Sequence, residues 1–160
     1  MSYKPILISH GEPNSVFLEI LFKSLKKKKY KSPIILVSSY ELLKFHMKKL
    51  KFKKKINLID LKNINRKKLS QNSINLINIK FKLNKNWNKI SNKSNNFISK
   101  SFELGLQLLN QEKTNKFING PISKKNFLKG KFLGITEYLA RKTNKNNIAM
   151  LIFNKKLSVS

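Results

Sequence analysis

Short apolar segments alternate along this sequence with segments whose apolar residues recur at helical spacing. Residues 4–9, 33–38 and 56–61 are short apolar runs, and helical patterns follow the first two at 16–25 and 40–50. A strand that is apolar on both faces is typical of a parallel sheet covered by helices on each side. The alternation therefore predicts an α/β fold in three layers, with helices on both faces of the sheet.

The same alternation continues in the rest of the chain. The predicted elements there are a helix at 96–112, a strand at 116–119, a short helix at 123–128, a helix at 136–142 and a strand at 148–153. We find no internal repeat and no interdomain linker, so residues 1–160 are predicted to form a single α/β region. Residues 80–96 are rich in Lys and Asn and low in complexity, which predicts a loop.

The charge of the chain is strongly positive, with 35 Lys and Arg against 7 Asp and Glu and a net charge of +28. Only Arg66 and Arg141 are arginines, whereas nucleic-acid interfaces exploit the bidentate contacts of Arg. A- and T-rich codons supply Lys, Asn and Ile, so codon bias is a sufficient explanation of the lysines. The lysine runs at 26–29 and 53–55 are therefore interpreted as solvated surface, and a nucleic-acid partner is disfavoured.

The absence of Cys excludes disulfides, thiolate metal sites and a cysteine nucleophile, and it favours the cytoplasm as the compartment. No apolar stretch approaches the roughly 20 residues that cross a bilayer, and no signal peptide is recognisable, so no membrane association is expected. His10 and His46 are far apart in the sequence and Asp60 is the only Asp, so no metal site is predicted within this chain. We interpret His46 as structural. His10 and Glu12 could serve as a base or a ligand in their loop, but a lone His in a loop is more often a surface residue, and we interpret His10 as one.

Three loops that follow predicted strands or precede predicted helices are candidates for ligand binding: 10–15, 119–124 and 134–137. In the second loop, Gly120 permits close backbone approach and Lys124 offers a cation for a phosphate. An ordinary strand-to-helix turn remains the alternative interpretation of that segment. The general phosphate-binding and dinucleotide-binding motifs are absent from the sequence.

Taken together, these loops resemble segments of the 4-hydroxythreonine-4-phosphate dehydrogenase family. Residues 6–14 (ILISHGEPN) resemble its opening strand and Gly-(Asp/Glu)-Pro loop, and residues 119–124 (NGPISK) resemble its Thr-Gly-Pro-Ile-Asn-Lys segment. Residues 134–140 (GITEYLA) resemble its Gly-His-Thr-Glu-Tyr-Leu-Ala segment, and 149–151 with 157–159 resemble the strand pair that follows. The resemblance covers about the N-terminal half of the family.

This resemblance implies a fold like that of isocitrate and isopropylmalate dehydrogenases. It also implies NAD-dependent oxidation of 4-phosphooxy-threonine, a small phosphorylated amino acid, in vitamin B6 biosynthesis. The family uses a divalent metal and acts as a homodimer. Lys124 and Thr136 match substrate-side positions of the family, while Ile135 replaces its His. The histidines that bind the metal in the family lie beyond the position of Ser160, so the metal ligands are expected to be absent from this chain.

The last residues, 157–160, have the pattern of the middle of a strand, which predicts a sheet that is incomplete at the C-terminus. We therefore expect a truncated or split dehydrogenase that is inactive as this chain alone and is completed by a C-terminal half. One alternative is a noncatalytic descendant or partner subunit of the enzyme. Another is a lysine-rich nucleic-acid-binding protein, in which Phe81 and Trp87 would stack on bases.

Overall fold

The computed structural model describes residues 3–61, 64, 69–83, 90–154, 156 and 158–159. The chain divides into two compact units, Met1–Ile122 and Ser123–Ser160. That residues 1–160 form a single α/β region stays a prediction.

The first unit is built on a parallel sheet of five strands in the order β3-β4-β2-β1-β5. The strands are Ile6–Ser9 (β1), Ile34–Ser38 (β2), Lys55–Leu58 (β3), Ser73–Asn78 (β4) and Lys116–Asn119 (β5). The helices are Phe17–Lys27 (α1), Tyr40–Lys49 (α2) and Asn95–Asn110 (α3). The central strands β1 and β2 are almost wholly buried, as their continuous apolar runs predict.

Helices α1 and α2 cover one face of the sheet. The buried side of α1 carries Phe17, Leu18, Leu21 and Phe22, which share one apolar cluster with residues of β1, β2, β4 and α2. Within this cluster the rings of Phe22 and Phe52 stack at 4.3 Å. The other side of α1 is charged, so the helix forms because its apolar stripe has a sheet to cover.

Helix α3 packs against β1, β2 and β5 on the opposite face. The hydroxyl groups of Ser101 on α3 and Ser9 on β1 share a buried hydrogen bond of 2.8 Å. Gly105 lies against the ring of Phe117, and a Cβ at this position would be only 2.7 Å from the ring. Helices therefore cover both faces, and the predicted three-layer α/β fold is confirmed.

Strand β4 is an element that the apolar patterns did not predict. Its polar residues Ser73 and Asn75 are buried, which breaks the rule by which continuous apolar runs were recognised. Asn75 is tolerated there because its amide is hydrogen-bonded on both sides: Nδ2 donates to Ile34 O and Ser70 O, and Oδ1 accepts from Asn57 Nδ2. A buried amide whose partners are all supplied carries little of the usual desolvation cost.

The predicted loop at 80–96 contains the short 3₁₀ turn Asn92–Ser94 and the first residues of α3. Residues 84–89, which include Trp87, lie outside the described residues. The ring of Phe81 lies 5.2 Å from the ring of Phe97, so this aromatic side chain packs on the protein itself.

The second unit contains one π-helical turn at Lys124–Leu128, helix Ile135–Thr143 (α4) and a small antiparallel pair, Ile152–Phe153 (β6) and Ser158–Val159 (β7). The strand predicted at 148–153 is therefore shorter than expected, because only its last two residues have a partner strand. Both Ile152 and Phe153 are more than half exposed. Among the described residues, no helix has the length and apolar character that crossing a membrane requires.

Candidate functional site

The carboxyl ends of β1, β2 and β5 lie side by side, because these strands are neighbours in a parallel sheet. Ligands of open α/β sheets bind beyond this edge. The loop after β1 begins at His10, the loop after β2 at Ser39 and the loop after β5 at Gly120. Two of the predicted ligand-binding loops thus start from the same edge of the first unit.

The loops after β1 and β5 meet backbone to backbone. Glu12 N donates to Pro121 O at 2.7 Å, and Gly120 N donates to Ser9 O at 2.8 Å. Gly11 adopts a positive φ of 73°, and a Cβ on Gly11 would overlap Pro121 O. A Cβ on Gly120 would overlap the carbonyl oxygen of His10. Glycine is therefore required at both positions, because the backbone of the facing loop leaves no room for a side chain.

His10 is fully buried, and its interpretation as a surface residue is wrong. Its N–H extends the sheet by donating to Val37 O at 3.1 Å, which places the residue inside the edge of the sheet. Its Nδ1 shares a hydrogen bond of 2.7 Å with Ser38 Oγ. The imidazole lies between two aromatic rings, with centroids 5.6 Å from Phe17 and 6.0 Å from Phe97.

The pKa of His10 is lowered to about 3, first by burial of the imidazole and then, as the smaller cause, by electrostatic repulsion from His46. The imidazole is therefore neutral at physiological pH. Its second nitrogen, Nε2, is buried without a hydrogen-bond partner among the described residues. His10 thus links the carboxyl ends of β1 and β2 through Nδ1, while Nε2 has no hydrogen bond to the described residues.

Glu12 is the second buried polar residue of this loop, with 2% of its surface exposed. Burial raises the pKa of its carboxyl group, and the hydroxyl of Ser94 opposes that shift. No hydrogen bond of ordinary geometry reaches either carboxyl oxygen from the described residues, and the Ser94 hydroxyl already donates to Ser91 O at 2.8 Å.

Asn14 is a third residue with such an atom, since its Oδ1 is buried without a partner among the described residues. We call His10, Glu12 and Asn14 the first-loop cluster. Unpartnered buried polar atoms are few in folded proteins. The loop after β1 therefore concentrates such atoms at the carboxyl edge of the sheet.

His46 lies on α2, beside a cavity of about 260 Å³ that Asn14 and Glu19 also line. Its pKa is lowered, first by burial and then by the positive charge of Lys49. The structural role assigned to His46 from the sequence stays a prediction.

Lys124 and Thr136, the substrate-side residues of the sequence prediction, both lie in the second unit. Lys124 is exposed at the start of the π-helical turn, which Ser123 caps by accepting from Asn126 N at 3.2 Å. Thr136 is half-buried in the first turn of α4, where Gly134 occupies the N-cap position without a side-chain cap. Their roles in binding stay predictions.

The part of the chain that the structure describes contains no group of three or more His, Asp or Glu side chains that could hold a metal ion. These residues alone do not fit a divalent metal.

Comparison with known proteins identifies one family. The model of the family described as pyridoxal phosphate biosynthetic protein PdxA matches residues 29–160. No curated protein matches the sequence.

Solved structures with the same fold include the 4-hydroxythreonine-4-phosphate dehydrogenases of Burkholderia phymatum and Klebsiella pneumoniae. The first is 19% identical with a TM-score of 0.79, and the match covers 98% of this chain and 48% of that one. The second is 20% identical with a TM-score of 0.78, and the match covers 98% and 49%. The chain spans about half the length of these enzymes. Because the family model matches most of the sequence, the chain belongs to the pyridoxal phosphate biosynthetic protein PdxA family.

Proposed function

We propose that this chain supplies the N-terminal half of an NAD-dependent dehydrogenase that oxidises 4-phosphooxy-threonine in pyridoxal phosphate biosynthesis. The observation that carries this proposal is the family match over residues 29–160. The fold shared with the solved dehydrogenases over 98% of the chain supports it. In this proposal a C-terminal half completes the enzyme, which acts as a homodimer in the cytoplasm.

Lys124 binds the phosphate of the substrate in this proposal. The residue is exposed, and the Ser123 cap fixes the turn on which it stands. An ammonium group offers three donors and a compact charge, both of which suit phosphate oxygens.

Thr136 binds a second polar group of the substrate. Its hydroxyl lies in the first turn of α4, where Gly134 provides no side-chain acceptor for the free N–H groups. The unpaired N–H groups of a helix start attract negative charge, so the hydroxyl and the backbone present donors on the same turn.

NAD and a divalent metal belong to the proposed holoenzyme. The described residues do not form a metal site, so we derive no step of the reaction through the metal and assign no residue of this chain to it.

The test begins with the coding DNA beyond the Ser160 codon, read in all three forward frames for the remaining half. The chain joined to that half is then assayed for NADH formation from 4-phosphooxy-threonine. We expect activity from the joined protein and none from the 160-residue chain alone. If no frame encodes the second half, or if the joined protein binds substrate without forming NADH, the noncatalytic alternative replaces this proposal.

The residue assignments are tested in the joined enzyme. Because Lys124→Ala removes a charge-assisted hydrogen bond, we expect the substrate KM to rise by about tenfold. Thr136→Val keeps the shape of the side chain and removes its hydroxyl, and we expect a smaller rise in KM. The matched control is Lys125→Ala, which removes an exposed lysine from the same turn. An unchanged KM in the first two variants would refute the assigned roles.

A further inference from the structure

The lysine run at 26–29 and one lysine of the run at 53–55 line the same cavity of the first unit. The cavity is lined by Lys26, Lys27, Lys28, Lys29 and Lys54. Helix α1 ends at Lys27, Lys28 follows it as the C-cap, and Lys54 directly precedes β3. The four lysines of the first run are exposed, as the interpretation of these runs as solvated surface expects, and they share a common concave space with Lys54.

This cavity, which we call the lysine pocket, has a volume of about 410 Å³. That volume lies within the range of small-molecule sites, which is roughly 300–1,000 Å³. Besides the lysines, its lining contains side chains with neutral hydrogen-bonding groups: Tyr30, Ser32, Gln71, Asn72 and Ser73. Ile34 and Ile74, at the starts of β2 and β4, close its apolar side.

The positive charge of the lysine pocket is not balanced by the described protein. No Asp or Glu belongs to its described lining, and the Lys23–Glu19 salt bridge lies outside the pocket. Lys54 is half-buried, so solvent screens its charge less than that of a fully exposed lysine. Several like charges around one concave space repel each other, and a bound anion would relieve that repulsion.

The position of the pocket separates it from the first-loop cluster. The five strands are parallel, and the pocket lies at the amino ends of β2 and β4, whereas the cluster lies at the carboxyl ends of β1 and β2. Because these are opposite edges of one sheet, a ligand in the pocket does not occupy the edge at which α/β proteins bind their substrates.

We propose that the lysine pocket binds a small linear polyphosphate anion of the triphosphate class. Lysine ammonium groups act as point charges that contact phosphate oxygens from several directions. A concave space lined by lysines from two separate segments of the chain fits a compact anion better than an extended strand. Arginine is absent from the described lining, and Tyr30 is its only aromatic residue, so the guanidinium contacts and stacked rings of a nucleic-acid surface are missing.

The test measures binding of sodium tripolyphosphate to the 160-residue chain by isothermal titration calorimetry at constant ionic strength. The pocket variant is Lys28→Gln with Lys54→Gln. The control is Lys100→Gln with Lys113→Gln, which removes the same charge from exposed positions outside the pocket. We expect saturable binding that weakens at least about tenfold in the pocket variant and less than about twofold in the control.

Three results would overturn the proposal. One is the absence of saturable binding to the unmodified chain. Another is equal weakening in both double variants, which would assign the affinity to the diffuse charge of the whole surface. The third is a single-stranded oligouridylate that binds more tightly than tripolyphosphate and loses affinity equally in both variants, which would assign the lysines to a nucleic-acid surface. Circular dichroism spectra of both variants confirm that they are folded.

Discussion

The buried His10 makes a quantitative prediction about stability and pH. Its pKa is about 3 in the folded chain and 6.5 in the unfolded one, so the unfolded state binds a proton more readily between these values. The contribution of the neutral His10 to the free energy of unfolding is therefore fully present above pH 6.5 and is lost as the pH falls toward 3. With 1.36 kcal/mol for each pKa unit, the whole loss is about 5 kcal/mol, of which about 2 kcal/mol falls between pH 7 and pH 5.

The perturbation that isolates this contribution is His10→Asn. An Asn amide can take the place of Nδ1 in the bond to Ser38 Oγ, but it does not titrate. The free energy of unfolding is measured by urea denaturation at pH 7 and at pH 5 for both proteins. The variant is less stable at pH 7, since it loses packing against Phe17 and Phe97. We expect its loss between the two pH values to be smaller than that of the parent by about 2 kcal/mol.

The comparison of the two pH dependences removes the contribution of other titrating groups. Glu12 acts with the opposite sign, because its raised pKa means that stability is lost as the pH rises. His46 acts with the same sign as His10, so His46→Gln is a second control that must keep most of the pH dependence. If His10→Asn loses as much stability as the parent between pH 7 and pH 5, the burial of a neutral imidazole is refuted.

Two further predictions concern the close contacts of the first unit. Gly120→Ala places a methyl group on His10 O, so we expect a loss of about 2 kcal/mol or more in the free energy of unfolding. Gly134→Ala is the comparison, because its new methyl group meets only the flexible Glu137 carboxylate, and similar losses in both variants would contradict the contact. Ser101→Ala leaves the buried Ser9 hydroxyl without its partner, at an expected cost of about 1–3 kcal/mol. Ser99→Ala, on the same helix and half-buried, should cost less than about 0.5 kcal/mol, and urea denaturation measures each value.

The sequence predicted the elements whose side chains follow a regular hydropathy pattern. Strands β1 and β2 are continuous apolar runs, and α1 has a single apolar stripe, so pattern and structure agree. Strand β4 escaped because the polar Asn75 is satisfied by partners at Ile34, Asn57 and Ser70, which only the assembled sheet brings together. Hydropathy carries no information about such distant partners.

The candidate site was harder to predict for the same reason. His10 is buried because β2 supplies Ser38 and two helices supply Phe17 and Phe97. The sequence of the loop itself does not indicate these contacts. A useful signal was present, since His10 directly follows a fully apolar strand and extends its hydrogen bonding. Lys124 came from its loop position as well as from the family resemblance, and Thr136 came from the resemblance; their chemistry awaits the assays above.

The backbone contact between Gly11 and Gly120 has a consequence for the gene. Every glycine codon begins with two guanines, so a coding sequence biased toward A and T loses glycines readily where geometry permits a replacement. The chain has five glycines, and at Gly11, Gly105 and Gly120 a Cβ would approach another atom too closely. A change at the first or second position of a glycine codon adds a side chain or ends translation. The folded backbone therefore opposes drift toward A and T at these codons, and nucleotide variation there reports directly on whether the protein is still required to fold.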